Sequence, residues 1–111
     1  MGEHTLGSRS VPLSRLSTGF GGGLGGTRQE LCGALSGGVM VIGALYGRTE
    51  AGQDKSRPYH LAAHYRERFA QAFGATICQD LRDAGYGTSG PPCTTLVEKA
   101  ARLLLEILAE G

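Results

Sequence analysis

The sequence predicts an all-α protein, a small helical bundle around a central glycine-rich apolar helix. Three observations carry this. No stretch of the 111 residues keeps a two-residue alternation of apolar and polar side chains. Two segments, near 57–73 and after Cys93, place apolar residues at the helical period. A third, Leu31–Tyr46, is apolar on nearly every side, the mark of a helix inside a core.

Residues 1–18 are polar and weakly patterned, with Val11, Leu13 and Leu16 spaced as a partial N-terminal helix. Residues 19–111 are expected to form one domain, since a chain of this length supports a single core. "GFGGGLGG", Gly19–Gly26, reads as a loop because glycine on this scale opposes helix. It contains G-x-G-x-x-G at Gly21, Gly23 and Gly26, but no strand precedes it, so it reads as a connector rather than a dinucleotide cradle.

Thr27 and Glu30 fit a capping box. They predict a helix from Arg28 to Leu45 with a left-handed Gly47 after it. Gly33 and Gly37, four apart on one face, predict a close approach by another backbone. Ser56 and Pro58 mark the next start, with a stripe of Leu61, Tyr65, Phe69, Ala72 and Phe73 and a stop at Gly74. A short helix is expected over Ile77–Ala84 and a loop over Gly85–Pro92. Thr95 and Glu98 suggest a second capping box, ahead of a buried stripe of Leu96, Ala100, Leu103, Leu104, Ile107 and Leu108.

Composition removes several function classes. The formal net charge is +1, from 11 basic and 10 acidic residues, so no single-sign field draws in nucleic acid. Aromatics are 6% and Trp is absent, which argues against a base-stacking platform. The apolar run 31–46 is shorter than the roughly 20 residues of a membrane span, and the first 20 residues lack the apolar core of a signal peptide. Three cysteines are too few for a secreted disulfide scaffold. A cytoplasmic, reducing location is expected.

His60 and His64 are four apart, a chelating spacing, but no further ligand pattern accompanies them. They read as polar residues beside the apolar stripe. Cys32, placed in the second turn of its helix, reads by itself as a small core residue with a raised thiol pKa. Cys93 precedes a helix start, where free N–H groups favour a thiolate. Cys78 and Cys93 flank a glycine-rich turn and are expected to meet.

The motif CGAxxG stands intact at Cys32–Gly37. Together with "RFAQAFGATICQDL" and "CTTLVEKAARLLLEIL", it makes the chain resemble the C-GCAxxG-C-C family of redox-active proteins, over about Gly19–Leu108. The resemblance implies a small helical protein with redox or metal chemistry on its cysteines. Cys32, Cys78 and Cys93 carry over as redox thiols. The family's first cysteine does not, because residues 1–18 contain none, and the chain is expected to be an N-terminally short member. Two alternatives stand beside thiol chemistry. One is an iron–sulfur cluster or other metal on Cys32, Cys78 and Cys93. The other is a non-catalytic helical module. A homo-oligomer is expected, because the central helix has few helices to cover it; the redox partner is left open.

Overall fold

The computed structural model describes residues 13–47 and 52–110. Five α-helices lie among them: α1 (Leu13–Ser17), α2 (Gly33–Tyr46), α3 (Ser56–Phe73), α4 (Cys78–Asp83) and α5 (Cys93–Glu110). A single 3-10 turn, Thr18–Phe20, follows α1. Val11, from the predicted partial helix, lies outside the described residues. The all-α expectation holds; among the described residues the only β feature is an isolated antiparallel bridge between Leu31 and Ile77.

The core forms where α2, α3 and α5 pack on one another. Helix α3 contributes Leu61, Tyr65, Phe69 and Phe73, helix α5 contributes Leu96, Ala100, Leu103, Leu104 and Ile107, and α2 contributes Leu35 and Ile42. Leu81 of α4 closes one end. Ala72, expected in the α3 stripe, is exposed, and Leu108 sits at the margin of the core. Tyr65, Phe69, Phe73 and Tyr86 form an edge-to-face ladder, with successive centroids 6.1, 4.6 and 6.1 Å apart. That is the preferred aromatic arrangement, because it sets the positive ring edge against the negative face.

Helix α2 departs most from expectation. It starts at Gly33, not Arg28, with Cys32 as its N-cap residue. Arg28 has φ 64°, a left-handed conformation that no first-turn residue can take. The Thr27 hydroxyl turns back to the carbonyls of Gly23 (3.0 Å) and Leu24 (2.9 Å), so the capping box does not form. Residues 28–32 instead pair with 76–79: Cys32 N–H donates to the Thr76 carbonyl (2.8 Å), Cys78 N–H to Glu30 (2.9 Å) and Gln79 N–H to Arg28 (2.9 Å). Tertiary backbone pairing outweighs the local cap.

The close approach on α2 is also shifted. A Cβ at Gly38 would overlap the Tyr65 ring, whereas Gly37 faces open space. Gly33 faces the backbone of Phe20 and Gly21 in ordinary contact. Gly47 is extended (φ −65°, ψ 153°), not left-handed, and its N–H donates to the Gly43 carbonyl (2.8 Å). Its missing side chain is needed because a Cβ there would overlap that carbonyl.

The later elements keep closer to their expected bounds. Ser56 is the first residue of α3, and Asp54 takes the capping part, accepting from the Ser56 N–H (3.0 Å) and hydroxyl (2.9 Å). Those two donors hold the Asp54 carboxyl below its usual range. Gly74 ends α3 in the left-handed conformation, φ 82°. Helix α5 begins at Cys93 itself, so Thr95 lies within the first turn and its N–H donates to the Pro92 carbonyl (3.0 Å).

Candidate thiol site

All three cysteines sit where helices begin: Cys32 at the N-cap of α2, Cys78 as the first residue of α4, Cys93 as the first of α5. The antiparallel bridge explains the first two. Around the Leu31–Ile77 pair, Cys32 lies opposite Thr76 and Cys78 opposite Glu30. Strand geometry alternates faces, so Cys32 and Cys78 project to one side and Leu31 to the other. Leu31 is accordingly exposed.

The glycine loop makes room for this arrangement. A Cβ on Gly23 would fall 2.7 Å from Cys78 Cβ and 2.7 Å from Arg28 Cα, and its φ is 72°. Only glycine meets both demands. The loop's spacing therefore serves packing against a cysteine.

Cys93 is brought back by the turn 85–92. Gly87 N–H donates to the Pro91 carbonyl (2.8 Å) and Gly90 N–H to Gly85 (2.8 Å), while the Thr88 hydroxyl donates to the Arg82 carbonyl (3.1 Å). These bonds fold the start of α5 onto α4. The three cysteines then line one apolar cavity of about 40 Å³, with Leu81, Tyr86 and Leu96 among its walls. Cys32 and Cys78 are half-buried, Cys93 is exposed, and all three are free thiols.

Burial pushes the Cys32 thiol above its ordinary value, and the neighbouring Cys78 and Cys93 add to the rise. The Ala34 and Leu35 N–H groups at the helix start pull the other way and do not prevail. A thiol in this state is a poor nucleophile at neutral pH, because the thiolate is the reactive form.

A chain with this cysteine order and CGAxxG motif is matched over residues 1–107 by the model of the family described as "Putative redox-active protein (C_GCAxxG_C_C)". The chain belongs to the C-GCAxxG-C-C family. No curated protein and no solved structure matches it.

Among the described residues, no group of three or more His, Cys, Asp or Glu side chains is arranged to hold a metal ion. His60 and His64 stack on each other at 6.2 Å, and His64 Nε2 lies 3.5 Å from Glu110 Oε2. Among the described residues no helix is long and apolar enough to cross a membrane.

Sequence reasoning missed two residues of this site. Gly23 and Gly87 were read only as loop glycines, yet each leaves space for a cysteine. Their signal is non-local, since nothing within the loop indicates which glycine faces a thiol.

Proposed function

We propose that this family member carries out thiol–disulfide exchange in a reducing compartment such as the cytoplasm, with Cys78 and Cys93 as the reversible pair and Cys32 as the third, half-buried thiol. One observation carries the reading: cysteines far apart in the chain share a single small apolar cavity, and one of them, Cys93, is open to solvent. In the exchange, the Cys93 thiolate attacks a sulfur of a small disulfide, forming a mixed disulfide and releasing one thiol. Cys78 then attacks the Cys93 sulfur, and the second thiol leaves. The protein pair loses two electrons and two protons, and the disulfide substrate gains both.

Oxidation by excess small disulfide, followed by thiol counting and peptide mapping, tests this. The expected result is one free thiol per chain and a Cys78–Cys93 cross-link within one chain. Three free thiols after full oxidation, or cross-links only between chains, overturn the reading.

A second property has its own support. Helix α2 buries Leu35, Gly38 and Ile42, while Val41 and Leu45, four apart on a stripe beside them, are 41% and 58% exposed. We infer that a second copy of the chain covers this face, because uncovered aliphatic side chains forfeit roughly 1.5–3 kcal/mol each. Light scattering across a concentration series should give a mass above 11.6 kDa that Leu45→Glu reduces. A concentration-independent monomer refutes it.

A further inference from the structure

A second, open cleft of about 370 Å³ lies against the thiol cavity, lined by Arg82, Gly87, Thr88, Gly90, Pro92 and Cys93. Arg82 and Cys93 belong to both spaces. The cleft is within the usual size range for small-molecule sites, roughly 300–1,000 Å³.

Gly87 joins the two functional groups. A Cβ on this residue would fall 2.6 Å from Cys93 Sγ and 3.4 Å from Arg82 Nη1. The guanidinium and the thiol therefore approach to about 6 Å or less. Gly87 also has φ 75°, so the bare backbone over Cys93 is fixed by conformation as well as by space. Among the described residues, Arg82 makes no ion pair, and no acidic side chain lines the cleft. The nearby carboxylate of Asp83 accepts from Gln79 Nε2 (2.9 Å) instead. A half-buried guanidinium without a carboxylate partner is a ready receptor for one, since its planar donor fork matches carboxylate geometry.

We propose that this cleft docks a carboxylate-bearing low-molecular-weight disulfide, with Arg82 holding the carboxylate and presenting the neighbouring sulfur to Cys93. This rests on the exchange reading above and names its substrate class. The carboxylate must lie within two or three carbons of the sulfur to span the gap between the two groups. In the step, the substrate S–S bond breaks, the Cys93–substrate S–S bond forms, and the departing thiolate takes a proton from water. The Thr88 hydroxyl, whose hydrogen is committed to the Arg82 carbonyl, is left as an acceptor for an N–H of the bound molecule.

Three disulfides with the same two-methylene spacer between sulfur and end group and different charge test this: dithiodipropionate (anionic), bis(2-hydroxyethyl) disulfide (neutral) and cystamine (cationic). Mixed-disulfide formation at Cys93 is followed by mass spectrometry on the full chain, and each rate is divided by that of free cysteine with the same reagent. The expected normalised preference for the anion over the cation is about tenfold or more, in keeping with electrostatic focusing in charged clefts. It should shrink in the unmodified chain as salt is raised. Arg82→Gln should bring it close to one, and Arg82→Lys should hold an intermediate value. In Cys93→Ser, which cannot exchange there, 3-mercaptopropionate should still shift the Arg82 Nε–H resonance.

Equal normalised rates in the unmodified chain overturn the anion site while leaving exchange intact. So does a preference that is insensitive to salt and to Arg82→Gln. Failure of all three reagents to react at Cys93 overturns the exchange reading, and the substrate assignment falls with it.

Discussion

Tyr65→Phe removes one oxygen from the centre of the protein, and its cost can be worked out at two pH values. Tyr65 is 1% exposed, and its hydroxyl donates to the Ala34 carbonyl at 3.0 Å. This bond ties α3 to the first turn of α2, two residues beyond Cys32. Phenylalanine fills the same space apart from the oxygen. The loss is therefore one buried hydrogen bond, about 1 kcal/mol. For a chain of about 100 residues that lowers Tm by about 4–8 °C at neutral pH.

The second consequence has the opposite sign. The Tyr65 phenol is pushed up to about 12, chiefly by burial and secondarily by Cys32. In the unfolded chain it ionises near 10. Its neutral form is thus favoured by folding, and the associated stability is complete below pH 10. That stability is lost as pH rises from 10 toward 12, by roughly 2–3 kcal/mol for a two-unit shift. Tyr65→Phe has no such group. Its melting curve should start below that of the unmodified chain, converge with it above pH 10 and cross it before pH 12. Cys32 deprotonation is common to both chains and leaves the difference largely unchanged. Circular-dichroism melts at a series of pH values make the comparison. An equal Tm at neutral pH, or a gap that stays constant through the alkaline range, would refute the reasoning.

Two further perturbations probe the thiol site and the helix crossing. Among single-cysteine variants, the Cys93 chain should be alkylated faster than the Cys32 chain at neutral pH, and the Cys32 rate should rise only above the ordinary thiol range, because burial holds that thiol protonated; a faster Cys32 reverses the roles. Gly38→Ala drives a Cβ into the Tyr65 ring and should cost about 1–3 kcal/mol as overpacking, whereas Gly37→Ala meets open space and should gain up to about 1 kcal/mol from helix propensity. Urea melts of the two variants separate the cases, and equal midpoints would show that the α2–α3 contact is not tight.

The parts of the fold that were legible in the sequence are those decided within one helix. The α5 stripe from Leu96 to Ile107 needs only a period of 3.6, and the end of α3 needs only Gly74 in a left-handed conformation. The start of α2 was not legible. Thr27 and Glu30 satisfy a local rule, but Arg28 gives up helical geometry so that residues 28–32 can pair with 76–79, more than forty positions away. Gly37 and Gly38 present the same difficulty on a smaller scale. Both are small and adjacent, and only the rotation of α2 against Tyr65 decides which is needed.

That misplaced helix start matters for the chemistry. Inside a helix beginning at Arg28, Cys32 would be one more small core residue. At an N-cap, paired by its backbone to the segment before Cys78, it becomes part of a wall shared with two other thiols. The same pairing uses the first two N–H groups of α4, at Cys78 and Gln79. The three thiols are therefore graded by their surroundings. Cys32 and Cys78 lie half-buried, and Cys93 lies exposed next to Arg82 and under the bare backbone of Gly87. In the proposed exchange this grading sets an order of events: a substrate sulfur reaches Cys93 first, from outside, and the second bond is made from inside, by a thiol the substrate does not touch. A cavity of about 40 Å³ walled by leucine and tyrosine side chains is too small and too apolar to admit the substrate, which confines the first encounter to the open cleft.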